Sequence, residues 1–111
     1  MIDSTKAARS VQYLIDSAAE YGAARADAER ASDMLRVTKA LIMAQSEAKS
    51  LGAQEVEAYS HERYLDAINV RFEAVKASEI LRARRESAIQ TIEAWRSLNA
   101  NQRAAERGYN A

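Results

Sequence analysis

Apolar residues recur every three or four positions through most of this chain, the period of helices that bury one face. Val11, Leu14, Ile15 and Ala18 share a face in the first run, which Asp3 or Ser4 can cap and Gly22 can end. This predicts a short helix over about residues 4–21. A second run covers about 23–49, where Ala24, Ala28, Ala31, Leu35, Thr38 and Ile42 keep an alternating four-three rhythm. Met34, Val37 and Leu41 widen that seam beyond a simple two-stranded coiled coil. The stretch SLGAQEVEAYS, residues 50–60, breaks the pattern. Gly52 fits the left-handed residue that closes a helix, Ser60 fits a cap for the next, and a hairpin loop with a short helical turn inside is expected. From residue 61 to about 107 the pattern is helical again, a run on the order of 65–70 Å if straight. Leu65, Ile68, Phe72 and Val75 form its first stripe, and Leu81, Ala88, Ile92 and Trp95 a second. The stripes are out of register near Glu79, which predicts a bend, a stutter or a change of packing partner there. Gly108 is a natural stop.

The expected fold is therefore all-α, in one domain spanning residues 1–111. It is a long antiparallel helical hairpin with a short N-terminal helix. Composition sharpens this. There is no proline, there are three glycines, and aromatic residues make up 6%. Alanine and straight-chain residues favour long helices but bury little apolar area, so such helices gain stability by pairing with others. Leu35, Ile42, Leu65, Ile68, Phe72, Val75, Ile92 and Trp95 are the expected contacts of a homo-oligomer.

Several function classes drop out. Cysteine is absent, which excludes disulfides, thiolate catalysis and cysteine zinc sites. No stretch approaches the ~20 apolar residues of a membrane span, and MIDSTKAARS has no apolar signal core, so a soluble, cytoplasmic protein is expected. No Gly-rich phosphate loop, His-Glu-x-x-His or EF-hand pattern occurs. The lone histidine, His61, sits at a predicted helix start, where it reads as a surface or capping residue rather than a ligand or general base. Carboxylates mostly have a basic residue three or four positions away, as in Glu29 with Arg25 or Glu73 with Lys76, the pattern of a solvated helix face. No catalytic residue, metal or cofactor is expected.

The net charge is zero, from 16 basic and 16 acidic side chains, but the C-terminal stretch is the basic end. Residues 82–111 hold six arginines and three glutamates. Arg82, Arg84 and Arg85 read either as a solubilising patch or as a phosphate-contacting zone. Arg82 and Arg85 lie near one face, while Arg84 is turned about 200° from Arg82. Arg96, Arg103 and Arg107 fall near one another on a continuous helix, with Asn99 a turn from Arg96. Trp95 continues the stripe of Ala88 and Ile92, which favours a packing anchor over a base-stacking platform. Tyr109, beyond Gly108, is freer, and reads either as a residue that stacks on a base or as a disordered one.

Three stretches resemble the UvsY-like recombination mediators of bacteriophages. They are IDSTKAA (2–8), LRVTKALIMAQSEAKS (35–50) and RRESAIQTIEAW (84–95). The resemblance implies a small helical hairpin that forms ring-like oligomers and binds single-stranded DNA without catalysis. It implies a role in helping a recombinase displace single-strand-binding protein, in a bacterial host's cytoplasm. DNA contacts on the first arm carry over to Arg36 and Lys39. This chain departs from the pattern in a shorter loop and a near-neutral first arm; a ring would compensate by repeating each weak patch along one strand. The competing expectation is a protein-interaction module, a phage adaptor or an inhibitor of a host complex, that does not touch nucleic acid.

Overall fold

The computed structural model describes residues 2–110, and for Tyr109 and Asn110 the backbone alone. The chain is all-α: α1 is Ser4–Gln45, α2 is Leu51–Ser60 and α3 is Glu62–Asn110. Each start has its own cap, which satisfies backbone donors that have no partner within the helix. The Asp3 carboxylate accepts from the Lys6 N–H at 2.8 Å, and Ser50 Oγ accepts from the Ala53 N–H at 3.1 Å. At α3 the cap is the histidine itself, whose Nδ1 accepts from the Arg63 N–H at 3.0 Å. Ser60 does not cap α3; it closes α2, its hydroxyl donating to the Val56 carbonyl at 2.9 Å.

The chain divides into two compact units, Met1–Glu20 with Ile80–Ala111, and Tyr21–Glu79. In the unit made of both chain ends, Ala7, Ser10, Leu14 and Ser17 of α1 turn inward, as do Leu81, Arg85, Ala88, Ile92 and Trp95 of α3. In the Tyr21–Glu79 unit, the α1 seam of Ala24, Ala28, Ala31, Leu35, Thr38 and Ile42 faces Tyr64, Ala67, Ala74 and Ser78 of α3. Arg71 crosses this seam, its Nε donating to Ser32 Oγ at 3.0 Å. The short α2 buries Ala58 completely and sets Tyr59 edge-on to Tyr64, with ring centroids 5.4 Å apart. Small side chains let helices approach closely, but each buried methyl contributes only about 0.8 kcal/mol. Ile42 and Leu81 are the large side chains among the buried apolar ones.

Several expected boundaries need correction. Gly22 does not end a helix. It lies inside α1, so the short front helix and the first arm are one element. A helical glycine costs about 1 kcal/mol relative to alanine, too little to break a seam that continues on both sides of it. Gly52 lies in the first turn of α2, and Gly108 lies within α3. No glycine among the described residues takes a positive φ. The expected loop at 50–60 is α2, and the true connection is the segment 46–50. Near Glu79 the helix does not break. The stripe of Leu65, Ile68, Phe72 and Val75 and that of Leu81, Ala88, Ile92 and Trp95 belong to different faces of α3. Only the second is the seam, and the boundary between the two compact units falls at Glu79.

Candidate nucleic-acid interface

The eight basic residues expected to meet DNA have different environments. Arg85 is the clearest correction. Its Nη1 donates to the Leu14 carbonyl at 2.8 Å and to Ser17 Oγ at 2.7 Å. It is a polar rivet in the seam, because Ser17 opposite is 4% exposed and too small to fill the space. Arg82 is paired with Glu86 at 3.1 Å, Arg96 with Glu93 at 3.4 Å, and Arg36 with Asp33. Exposed pairs such as these contribute at most about 1 kcal/mol, but each sets a carboxylate beside its guanidinium and weakens the field seen by a polyanion. Lys39 donates to the Tyr59 hydroxyl at 2.7 Å, with its ammonium 4.5 Å from that ring's centroid. The hydrogen bond from Lys39 to Tyr59 raises the amine's pKa above its ordinary 10.5.

Arg103 and Arg107 are exposed on the last turns of α3, and helical spacing brings them to one side as expected. Arg103 lines one groove with Arg96 and Asn99, and the next with Glu106 and Arg107. Trp95 is half-buried and takes the packing role. The stacking role considered for the Tyr109 ring lies outside the described residues.

Sequence reading missed an electropositive concavity. In the unit made of both chain ends, Lys6, Arg9 and Tyr13 of α1 and Arg84, Ser87 and Thr91 of α3 line an open groove of about 480 Å³. The groove's lining holds three cations and no carboxylate. None of the three has an ion-pair partner among the described residues. The Tyr13 hydroxyl is buried and has no hydrogen-bond partner, which costs about 1–3 kcal/mol. Lys6 and Arg9 are three residues apart, so they are neighbours on α1. By contrast, a groove in the Tyr21–Glu79 unit sets Arg25 and Arg36 among Glu29, Asp33 and Glu79, so acidic side chains outnumber basic ones there.

No family model, curated protein or solved structure matches the chain. The site's case therefore rests on its own geometry. Two signals for the missed residues were present. Lys6 and Tyr13 are seven apart, and each immediately precedes a seam position, Ala7 or Leu14. Arg84 precedes the seam residue Arg85 in the same way.

The expected oligomer contacts also divide. Leu65, Ile68 and Phe72 are exposed, Phe72 at 61%, and remain open to a partner. Leu35, Ile42, Ile92 and Trp95 are not open in this way, because they pack inside their own units, with Ile42 only 4% exposed. Val75 is half-buried beside Arg25 and Arg36. Among the described residues no helix is long and apolar enough to cross a membrane.

Proposed function

We propose that this protein is a non-enzymatic, self-assembling single-stranded DNA-binding protein that acts as a recombination mediator. The carrying observation is the segregation of charge between its two compact units. The unit of residues 1–20 and 80–111 has eight basic and six acidic side chains, and residues 21–79 have eight and ten. The positive unit also holds a groove lined by Lys6, Arg9 and Arg84 with no carboxylate among its residues, and it exposes Arg103 and Arg107 on the last turns of α3. Repeated around an oligomer, such patches make a track for a phosphate backbone, with affinity set by counterion release and little dependence on base sequence. The mediator role, with a recombinase and a single-strand-binding protein as partners, is supported by the resemblance of residues 2–8, 35–50 and 84–95 to the phage mediators. Fluorescence anisotropy of a labelled oligo-dT strand, titrated with protein at rising salt, tests it. Binding that weakens steeply with salt is expected. No binding at low salt ends this reading.

A second reading, a protein-interaction module without nucleic acid, is favoured by a different observation. Leu65, Ile68, Val70 and Phe72 expose large apolar surface. The chain exposes 8305 Å² in all, against roughly 6,100 Å² for a compact monomer of 12.3 kDa. That surface calls for a partner, and the first reading assigns it to further copies of this chain. Sedimentation equilibrium separates the two. A monomer at all concentrations that gains mass only with a second protein supports the module.

A further inference from the structure

Diffuse positive charge does not explain why the groove between the start of α1 and the middle of α3 contains a buried phenol with no partner. We propose that this groove is a discrete phosphate site, in which Lys6, Arg9 and Arg84 neutralise a phosphate oxyanion and the Tyr13 hydroxyl donates a hydrogen bond to one of its oxygens. The inference deepens the DNA-binding reading, on which only its nucleic-acid arm rests.

Four features support it. Three cations line one concavity with no carboxylate among them. That is enough positive charge to hold a phosphate dianion, and charge-assisted bonds from ammonium and guanidinium groups are the strong ones. Tyr13 is half-buried and lines the same groove, and its hydroxyl is the one buried side-chain donor without a partner among the described residues; side chains covering that hydroxyl must shift for a phosphate oxygen to reach it. A phosphate oxygen accepts from a phenol, whereas an ammonium or guanidinium cannot. Of the neighbouring hydroxyls, that of Thr91 is engaged, its Oγ1 donating to the Ser87 carbonyl at 3.0 Å, while Ser10 and Ser87 line the groove as further hydroxyl donors beside Tyr13. The residues are also held in place. Arg85, next to Arg84, is fixed to Leu14 and Ser17, which flank Tyr13 by one and four positions on α1. The groove thus forms where the chain's own seam is most firmly riveted. The ligand class is a phosphate group, supplied either by a single-stranded DNA backbone or by a small free polyphosphate.

The test titrates the full chain with sodium tripolyphosphate by calorimetry and, separately, with a labelled oligo-dT strand by anisotropy. The variants are Tyr13→Phe, the triple Lys6→Ala/Arg9→Ala/Arg84→Ala, and a charge-matched control, Arg30→Ala/Arg63→Ala/Lys76→Ala. Far-UV circular dichroism confirms that each remains helical. Expected are saturable tripolyphosphate binding by wild type and by the control, a several-fold loss in Tyr13→Phe, and loss of binding in the triple variant. For the strand, losing three phosphate contacts lowers the slope of log affinity against log salt by about 2. If the strand binds but the triple variant and the control weaken it equally, the groove is overturned while the DNA reading stands. If tripolyphosphate binds with the expected variant pattern but the strand does not, the groove stands and the DNA reading falls. Binding of neither overturns both, and a Tyr13→Phe variant that binds tripolyphosphate as wild type does removes the phenol from the site.

Discussion

Arg84 and Arg85 are adjacent in sequence, yet one lines an open groove and the other bonds across the helix seam, and alanine substitution at each separates the structural role from the proposed binding role. In Arg85→Ala, two hydrogen bonds from one guanidinium nitrogen are lost, to the Leu14 carbonyl at 2.8 Å and Ser17 Oγ at 2.7 Å. Bonds to a charged donor are each worth about 1.5–3 kcal/mol in net terms. Both arise from the same nitrogen, and the side chain is only part-buried, so water recovers some of the loss. Ser17 keeps its own bond to the Tyr13 carbonyl at 2.6 Å, so it is not orphaned. The net cost is therefore nearer one bond than two, about 2 kcal/mol. For a chain of this size that lowers Tm by roughly 10 °C. Arg84 makes no such bond, and Arg84→Ala should stay within about 0.5 kcal/mol of wild type. Thermal unfolding followed by circular dichroism checks both, at one protein concentration because the proposed self-association would make Tm depend on it. The same samples, assayed by anisotropy below their transitions, should show the reverse order for oligo-dT, with Arg84→Ala the weaker binder. Equal Tm values for the two variants would refute the rivet and return Arg85 to the surface.

The remaining predictions are direct. Gly22→Ala should stabilise the protein by about 1 kcal/mol, because the glycine is helical and an added Cβ meets nothing within 4 Å; chemical denaturation measures it. Lys39 is held above its ordinary 10.5 by the Tyr59 hydroxyl, so its contribution is full below pH 10.5 and fades as pH rises through the higher folded value. Lys39→Met should therefore differ from wild type equally at pH 7 and pH 9, and converge with it in strong alkali. Phe72→Ser with Ile68→Ser should reduce the oligomer mass in sedimentation while leaving helix content unchanged. An unchanged mass moves the self-association surface elsewhere.

The sequence by itself determined the all-α class and the helical arms. These follow from local chemistry, three-four periodicity and the absence of proline, whereas the cap expected of Ser60 is made by His61. The sequence also determined the loose spacing of the arginines around α3, since a rotation per residue is fixed by the backbone. It did not determine where α1 ends, because a single glycine is a weak breaker and its cost is outweighed by a seam that extends across it. Nor could it say which of two apolar stripes on α3 is buried. Leu65, Ile68 and Phe72 are the larger side chains, yet the smaller Ala67, Ala74 and Ser78 turn inward, because alanine and serine on α1 leave room only for a close approach. That choice depends on the partner helix. The same pairing decided that Arg85 is a rivet and Arg84 a free charge, and it brought Lys6, Arg9 and Tyr13 to Arg84 from more than seventy residues away. Cations gather into a site only when two helices meet, and the meeting is a property of the tertiary structure.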